Sequence, residues 1–125
     1  MDDSQVKILI LDDENAIKEN LVLFLEDQDF SVHSTASAEK GLELLKTGEK
    51  FNLGIIDIRL PKMSGDKFIV ESHKIDPTMK FIIHTGSIDF ELNNELIAVG
   101  LTKEDVFKKP VVDIISLINR IKVLT

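Results

Sequence analysis

Short apolar runs alternate with amphipathic segments along the whole chain, and five such units fit its length. The runs are rich in Val, Ile, Leu and Phe and are too short for helices, so they indicate strands. We predict strands at about residues 6–11, 30–34, 51–57, 80–85 and 105–108. Regular alternation of strands with helices is typical of a parallel sheet with right-handed crossovers. The pattern therefore predicts an α/β fold with a doubly wound sheet.

The segments between the strands carry apolar residues at helical spacing. They predict helices at about residues 15–27, 37–47, 66–76, 89–99 and 112–124. Ser37 is a natural N-cap for the second helix, and Gly48 is a natural stop after it. The third helix opens near Asp66 and ends before Pro77, because proline cannot continue a helix.

The same spacing predicts which residues of each helix face the sheet. For the first two helices these are Ile17, Leu21, Phe24 and Leu25, then Ala38, Leu42 and Leu45. For the fourth helix, which ends at Gly100, they are Leu92, Leu96 and Ile97. For the fifth helix they are Ile114, Ile115, Ile118 and Ile121. The fifth helix also carries apolar residues beyond this stripe, at Val112, Leu117, Val123 and Leu124. Such an excess predicts either an interface or deep burial of the helix.

Residues suited to phosphoryl chemistry follow four of the five predicted strands. Asp12 and Asp13 come after the first strand, and Asp57 ends the third. Thr85 ends the fourth, and a Lys-Lys-Pro segment, residues 108–110, ends the fifth. Ligand sites of open α/β sheets form outside the carboxyl ends of the strands. We therefore expect acids, a hydroxyl and a lysine to meet in one small site.

Three carboxylates at neighbouring strand ends need a compensating cation. At an effective dielectric constant near 20, two carboxylates about 4 Å apart repel each other by about 4 kcal/mol. A cluster of oxygen ligands, with no Cys or His in the matching loops, suits Mg²⁺ or Mn²⁺ better than zinc. Mg²⁺ also keeps open positions that a phosphoryl oxygen can occupy. The cluster thus predicts a phosphate site that is built through a metal ion.

The size, composition and net charge of the chain exclude several classes of function. The chain has 125 residues, 43% of them hydrophobic and 30% charged, which predicts one domain over residues 1–125. No apolar stretch approaches the roughly 20 residues of a membrane span, and the acidic N-terminus is unlike a signal peptide. The absence of cysteine is compatible with a cytoplasmic location. A net charge of −7 argues against nucleic-acid binding by this domain.

Two other phosphate-binding designs fit the first turn poorly. A nucleotide or flavin site would place a glycine-rich turn there, whereas this chain has Asp12, Asp13, Glu14 and Asn15. A phosphatase of the haloacid dehalogenase type would have an Asp-x-Asp pair after the first strand. Here the two acids are adjacent, and the isolated acid, Asp57, follows the third strand.

Four signatures, in this order, cover essentially the whole chain: LDDEN at residues 11–15, IIDIRLPKMSG at 55–65, HTGS at 84–87 and FKKP at 107–110. Together they resemble the receiver domain of two-component response regulators. The resemblance implies a flavodoxin-like parallel sheet of five strands in the order 2-1-3-4-5, with five helices. It also implies a signalling domain whose only catalysis is its own phosphorylation and dephosphorylation.

The resemblance implies that Asp57 is the phosphoacceptor and takes its phosphoryl group from a phosphohistidine of a sensor kinase or phosphotransfer protein. Mg²⁺ or Mn²⁺ would be held directly by Asp13, Asp57 and the backbone carbonyl of Arg59, with Asp12 acting mainly through water. Lys109 would pair with one phosphoryl oxygen, and the Thr85 hydroxyl would donate to another.

Further positions around the phosphoryl group follow from the same resemblance. Pro110 would fix the loop after the fifth strand through a cis peptide, and Gly86 would leave room for the incoming group. Arg59 and Ser87 would flank that group and influence its lifetime. The family commonly has Tyr or Phe where this chain has Val106. Because Val106 is not aromatic, we expect switching to proceed instead through the loop after the fourth strand or through the fourth helix.

Taken singly, these residues have simpler interpretations. Either aspartate of the first turn could cap the first helix, Asp57 could form a turn, and Lys109 could be a solvated side chain. Their joint placement favours the phosphoacceptor, and the alternative is a phosphorylation-independent interaction domain of the same fold. The family often uses the face of helix four, strand five and helix five for an output domain or a homodimer.

His33, His73 and His84 lie in different units, so we expect no metal or catalytic role for them.

Overall fold

The computed structural model describes residues 5–111 and 113–125. Its centre is a parallel sheet of five strands in the order β2-β1-β3-β4-β5, which confirms the predicted topology. The strands are β1 Lys7–Leu11, β2 Ser31–Thr35, β3 Leu53–Ile56, β4 Lys80–Thr85 and β5 Val106–Lys108. They lie within about two residues of the predicted bounds, and β4 agrees at both ends.

Helices connect successive strands and cover both faces of the sheet. They are α1 Asn15–Asp27, α2 Ala38–Lys46, α3 Gly65–Ile75, α4 Asn94–Val99 and α5 Ile114–Leu124, and a 3-10 turn, Lys103–Asp105, precedes β5. The predicted cap of α2 is confirmed, since the Ser37 side chain accepts a hydrogen bond from the Lys40 backbone N–H. Val112, the predicted first residue of the fifth helix, lies outside the described residues.

The inner strands β1, β3 and β4 are buried on both faces of the sheet, which explains why they are largely apolar. Leu9 and Leu11 of β1 point to the side covered by α2, α3 and α4, whereas Ile8 and Ile10 point to the side covered by α1 and α5. All four side chains are at most 1% exposed. Two cores therefore pack against β1 from the two faces of the sheet and fix the position of the loop that follows it.

The fourth helix is shorter than predicted, and its inner face is partly wrong. It begins only at Asn94, because the Asn93 side chain caps it by accepting a hydrogen bond from the Leu96 N–H. Leu92 packs on the core from the preceding loop instead. Leu96 is fully buried, but Ile97 is 54% exposed. In six residues only one narrow stripe reaches the sheet, and Ile97 lies about 100° away from Leu96.

The inner face of the fifth helix also needs correction. Leu117 is buried, although it was predicted to lie outside the core stripe, and Ile115 is 69% exposed, although it was predicted to lie inside. The observed stripe consists of Ile114, Leu117, Ile118, Ile121 and Leu124. Ile115 points away because it is rotated about 100° from Ile114. Val123 is exposed, as the predicted apolar surface requires.

Among the described residues, no helix combines the length and the apolar composition that crossing a membrane would require.

Candidate functional site

The central strands bring two of the predicted acids together at the carboxyl edge of the sheet. Leu11 pairs with Ile56 in the register of β1 and β3, and the next residues along these strands are Asp12 and Asp57. The Asp57 N–H donates to the Leu11 carbonyl at 2.8 Å, which extends the ladder by one residue. Asp12 is 2% exposed and Asp57 4% exposed. Strand register thus places both carboxylates in a sheltered position.

Asp13 completes an acidic cluster with these two residues. One carboxylate oxygen from each of Asp12, Asp13 and Asp57 lies within 4.8 Å of the others, and Asp13 is on the exposed side. Three carboxylate oxygens at this separation form a donor set that fits a hard divalent cation and leaves positions open for water or a phosphoryl oxygen. The residues present therefore fit Mg²⁺ or Mn²⁺.

Lys109 joins the cluster from the loop after β5. Its Nζ lies 2.9 Å from Asp12 Oδ2, 2.9 Å from Glu14 Oε1 and 3.0 Å from Asp57 Oδ2, and its side chain is only 7% exposed. Burial by itself lowers the pKa of Lys109, but hydrogen bonds from its ammonium to Glu14, Asp12 and Asp57 outweigh burial and raise that pKa. The lysine thus remains charged and compensates the acids.

Both carboxylate oxygens of Asp57 have hydrogen-bond donors. Oδ1 accepts from the backbone N–H of Arg59 at 3.2 Å, and Oδ2 accepts from Lys109. Burial raises the pKa of Asp57, whereas the hydrogen bond and charge of Lys109 lower it. The nearby charge of Asp12 raises it again. The Asp57 carboxylate is consequently held in a fixed orientation by two donors, and its charge is only partly compensated.

Thr85 lies at the end of β4 and is fully buried. Its hydroxyl oxygen accepts a hydrogen bond from the Ser87 backbone N–H at 3.0 Å, so the hydroxyl retains its proton for a further acceptor. The Ser87 carbonyl accepts from Lys108 Nζ at 2.7 Å, and the Ser87 hydroxyl lies 3.5 Å from Arg59 Nη2. Side chains from the ends of β4 and β5 and from the loop after β3 therefore converge on the segment after β4.

The remaining predicted positions surround these groups. The Lys109-Pro110 peptide is cis, as predicted. A Cβ atom built on Gly86 would meet nothing within 4 Å, so the backbone beside Thr85 is open. Val106 is half-buried and packs against the core cluster that includes Leu96 of α4.

Three residues at the site were given no role by the sequence reasoning, although all three lie within the four signatures. Glu14 contacts Lys109, Lys108 binds the Ser87 carbonyl, and Gly65 packs against the backbone of Asp57. Glu14 and Lys108 stand directly beside predicted site residues in the chain, so the charge runs DDE and KK were the available signals. Gly65 ends the signature at 55–65, but the signature does not reveal its contact with Asp57, because that contact depends on how the loop between them folds.

The histidines do not join the acidic cluster. His84 follows the alternation of β4 and is buried on the opposite side from Thr85, beside α1 and α5. Burial and, to a smaller extent, the charge of Lys109 lower its pKa to about 4, although Asp12 and Glu14 act in the opposite direction. His33 is exposed and His73 is half-buried.

Comparison with known proteins gives the family of this chain. Residues 8–122 match the family described as "Response regulator receiver domain". The sensor kinase CckA of Brucella abortus is 30% identical over 80 residues, which is 63% of this chain and 8% of the kinase. The cell cycle response regulator CtrA of Brucella ovis is 25% identical over 105 residues, which is 84% of this chain and 44% of CtrA. The chain thus spans less than half the length of these two curated relatives.

A solved structure shows the same likeness over nearly the full chain. The CheY-like response regulator receiver domain from Methanospirillum hungatei JF-1 superposes with a TM-score of 0.82 and 35% sequence identity. The match covers 96% of this chain and 93% of that one. Family match, topology and fold agree, and the chain belongs to the response regulator receiver domains of two-component signalling systems.

Proposed function

We propose that this domain accepts a phosphoryl group on Asp57, in a reaction that depends on Mg²⁺ or Mn²⁺, and thereby switches the binding of a partner. The donor is a phosphohistidine of a sensor histidine kinase or histidine phosphotransfer protein. The observation that carries the proposal is the double contact of Asp57: it belongs to the acidic cluster and also lies 3.0 Å from Lys109. Residues 1–125 act as one receiver domain in this proposal.

The cation would be held directly by Asp13 and Asp57 and by the backbone carbonyl of Arg59, with Asp12 acting mainly through water. When bound, it supplies positive charge that neutralises the phosphoryl oxygens during transfer. Asp57 acts as the nucleophile because its carboxylate is held by two donors and needs no general base. One of its oxygens forms a bond to phosphorus while the bond from phosphorus to the histidine nitrogen breaks. The electron pair of that bond returns to the imidazole, which takes up a proton from solvent.

Lys109 and Thr85 bind the product in this proposal. Lys109 Nζ is already within hydrogen-bond distance of Asp57 Oδ2, so a short movement would bring it onto a phosphoryl oxygen. The Thr85 hydroxyl would donate its retained proton to a second oxygen. The Ser87 N–H is bound to the same hydroxyl, so a reoriented Thr85 would act on the loop after β4. This link supports a switching route through that loop. Such a route is needed because Val106 of β5 stands where the family commonly has an aromatic residue.

Incubation with acetyl phosphate and Mg²⁺ tests the proposal. We expect intact-protein mass spectrometry to show a gain of about one phosphoryl group, because the site supplies nucleophile, metal ligands and lysine together. The gain should vanish in Asp57→Asn and persist in Asp89→Asn, which removes an exposed carboxyl group outside the cluster. Omission of the divalent cation should also abolish it. A folded wild-type protein with no mass gain would favour the phosphorylation-independent interaction domain instead.

Arg59 is expected to influence the lifetime of the phosphorylated state. Its side chain is exposed and reaches Ser87 on the loop after β4, so it lies over the edge of the site. We expect Arg59→Ala to change the rate of phosphate loss by several-fold, measured as the decay of the phosphorylated mass. Lys67→Ala removes another exposed cation, on α3, and should leave the decay unchanged. Identical decay curves for Arg59→Ala and the wild type would show that Arg59 does not influence the lifetime of the phosphorylated state.

The face formed by α4, β5 and α5 is our proposed contact for an output domain or a second copy of the chain. Ile97, Ile115 and Val123 are large apolar side chains exposed on its two helices, with exposed fractions of 54%, 69% and 71%. Exposed apolar groups of this size favour protein partners.

We further propose that the domain acts in the cytoplasm, without a membrane or nucleic-acid contact of its own.

A further inference from the structure

We propose that Glu14 is a positioning residue that competes with the phosphoryl group for Lys109. The inference rests on the proposed function of Asp57 and concerns a residue to which the sequence analysis assigned no role. Its consequence is that Glu14 lowers the affinity of the site for a phosphoryl group without taking part in metal binding.

The three hydrogen-bond donors of Lys109 match three acceptors. A lysine ammonium has three N–H groups and no acceptor. Asp12, Glu14 and Asp57 each place one carboxylate oxygen 2.9–3.0 Å from Nζ. A phosphoryl oxygen can therefore bind Lys109 with full strength only if one of these carboxylates leaves.

Glu14 is the acceptor that leaves most easily. The side chains of Asp12 and Asp57 are 3% and 5% exposed, and an uncompensated buried carboxylate is costly. The Glu14 side chain is 57% exposed, so its charge can return to water at little cost. Asp12 and Asp57 also belong to the acidic cluster that suits the cation, whereas Glu14 does not.

The backbone of Glu14 allows this side chain to move alone. Its N–H donates to Asp12 Oδ1 at 2.9 Å, which fixes the main chain beside the cluster. Glu14 is also the N-cap of α1, so a stable helix follows directly. Rotation of the side chain toward solvent therefore breaks the contact with Lys109 without displacing Asp12.

Loss of the Glu14 contact should accordingly strengthen binding of a phosphoryl analogue. We suggest titration of the full chain with beryllofluoride at saturating Mg²⁺, followed by ¹⁹F NMR. We expect Glu14→Gln to bind the analogue about fivefold more tightly, the scale of one partly exposed charged hydrogen bond. The affinity for Mg²⁺ alone should stay equal or fall slightly, because a negative charge near the cluster is removed.

Two matched variants separate the contact from a general charge effect. Glu14→Asp keeps the charge but shortens the side chain by one methylene, so it should lose the contact and resemble Glu14→Gln. Glu19→Gln removes an exposed charge further along α1 and should bind the analogue as the wild type does.

Equal analogue affinity in Glu14→Gln and the wild type would overturn the proposal. Tighter binding in Glu14→Gln with wild-type binding in Glu14→Asp would also overturn it, in favour of a plain charge effect. Failure of the proposed function is distinguishable, because the wild type would then show neither analogue binding nor a phosphoryl mass gain on Asp57.

Discussion

Gly65→Ala is expected to destabilise the protein by roughly 2–4 kcal/mol, the cost of forcing an extra atom into a packed region. A Cβ atom on Gly65 would stand 2.0 Å from the carbonyl oxygen of Asp57 and 2.8 Å from its carbonyl carbon. It would also approach the Cα of Ile58 to 2.9 Å. These neighbours are backbone atoms, which cannot rotate away as a side chain does.

The clash also acts directly on the functional site. The Gly65 N–H donates to the Ile58 carbonyl at 2.9 Å, so the first turn of α3 is tied to the end of β3. Pushing α3 away would move Asp57, its neighbour in this contact. We therefore expect a loss of Mg²⁺ affinity in whatever fraction of the variant remains folded.

Urea unfolding of the wild type and two glycine variants measures this effect. Gly86→Ala is the matched control, because a Cβ atom there would meet nothing within 4 Å. Its unfolding midpoint should lie close to that of the wild type, whereas Gly65→Ala should unfold at much lower urea or fail to fold. An unfolding midpoint for Gly65→Ala equal to that of Gly86→Ala would contradict the packing described for this loop.

Acidification is expected to destabilise the protein through His84 by about 3 kcal/mol, the free energy that corresponds to lowering a pKa from 6.5 to about 4. The causes are burial first, then the positive charge of Lys109, while Asp12 and Glu14 act in the opposite direction. Both ring nitrogens lack a hydrogen-bond partner among the described residues. Nothing in that surrounding therefore favours the protonated ring strongly enough to offset its burial.

The direction of the pH dependence follows from proton uptake. The unfolded chain binds a proton at His84 as the pH falls below about 6.5, whereas the folded chain binds it only near pH 4. Unfolding therefore takes up a proton between these values. Stability from this residue is complete above pH 6.5 and is lost progressively as the pH falls toward 4.

His84→Leu should remove this part of the pH dependence, because leucine cannot be protonated and suits a surrounding that includes Ile17, Leu21 and Phe24. Free energies of unfolding from urea titrations at pH 7 and pH 4.5 give the comparison. The exposed His33 offers the control, and His33→Gln should retain the wild-type dependence on pH. Equal losses of stability on acidification in His84→Leu and the wild type would rule His84 out as the cause.

Most of the predicted fold agrees with the structure, because short apolar runs and helical spacing indicated where the strands and helices lie. The bounds of α1 and β4 agree at both ends, and the sheet order agrees with the one that the resemblance implied. The fourth helix was predicted too long, since Leu92 packs on the core without being helical. Periodicity cannot separate an apolar residue in a helix from one in a loop that lies over the same core.

Several decisive contacts of the site were beyond the reach of sequence reasoning. Glu14 and Lys109 are 95 positions apart, and their contact requires the loops after β1 and β5 to bend toward each other. Gly65 touches the Asp57 backbone only because the intervening loop turns back on itself. The choice between Ile115 and Leu117 as the buried residue of α5 was likewise set by how that helix rotates against the sheet.

The sequence by itself determined the order of the strands and helices and which reactive residues stand at the strand ends. It could do so because hydrophobic periodicity is local and strand ends of a parallel sheet share one edge. Only the tertiary structure decided how those residues are held: Lys109 among three carboxylates, Asp57 against Gly65, and Thr85 on the loop after β4. Distances of this kind depend on packing between elements far apart in the chain, and no local pattern encodes them.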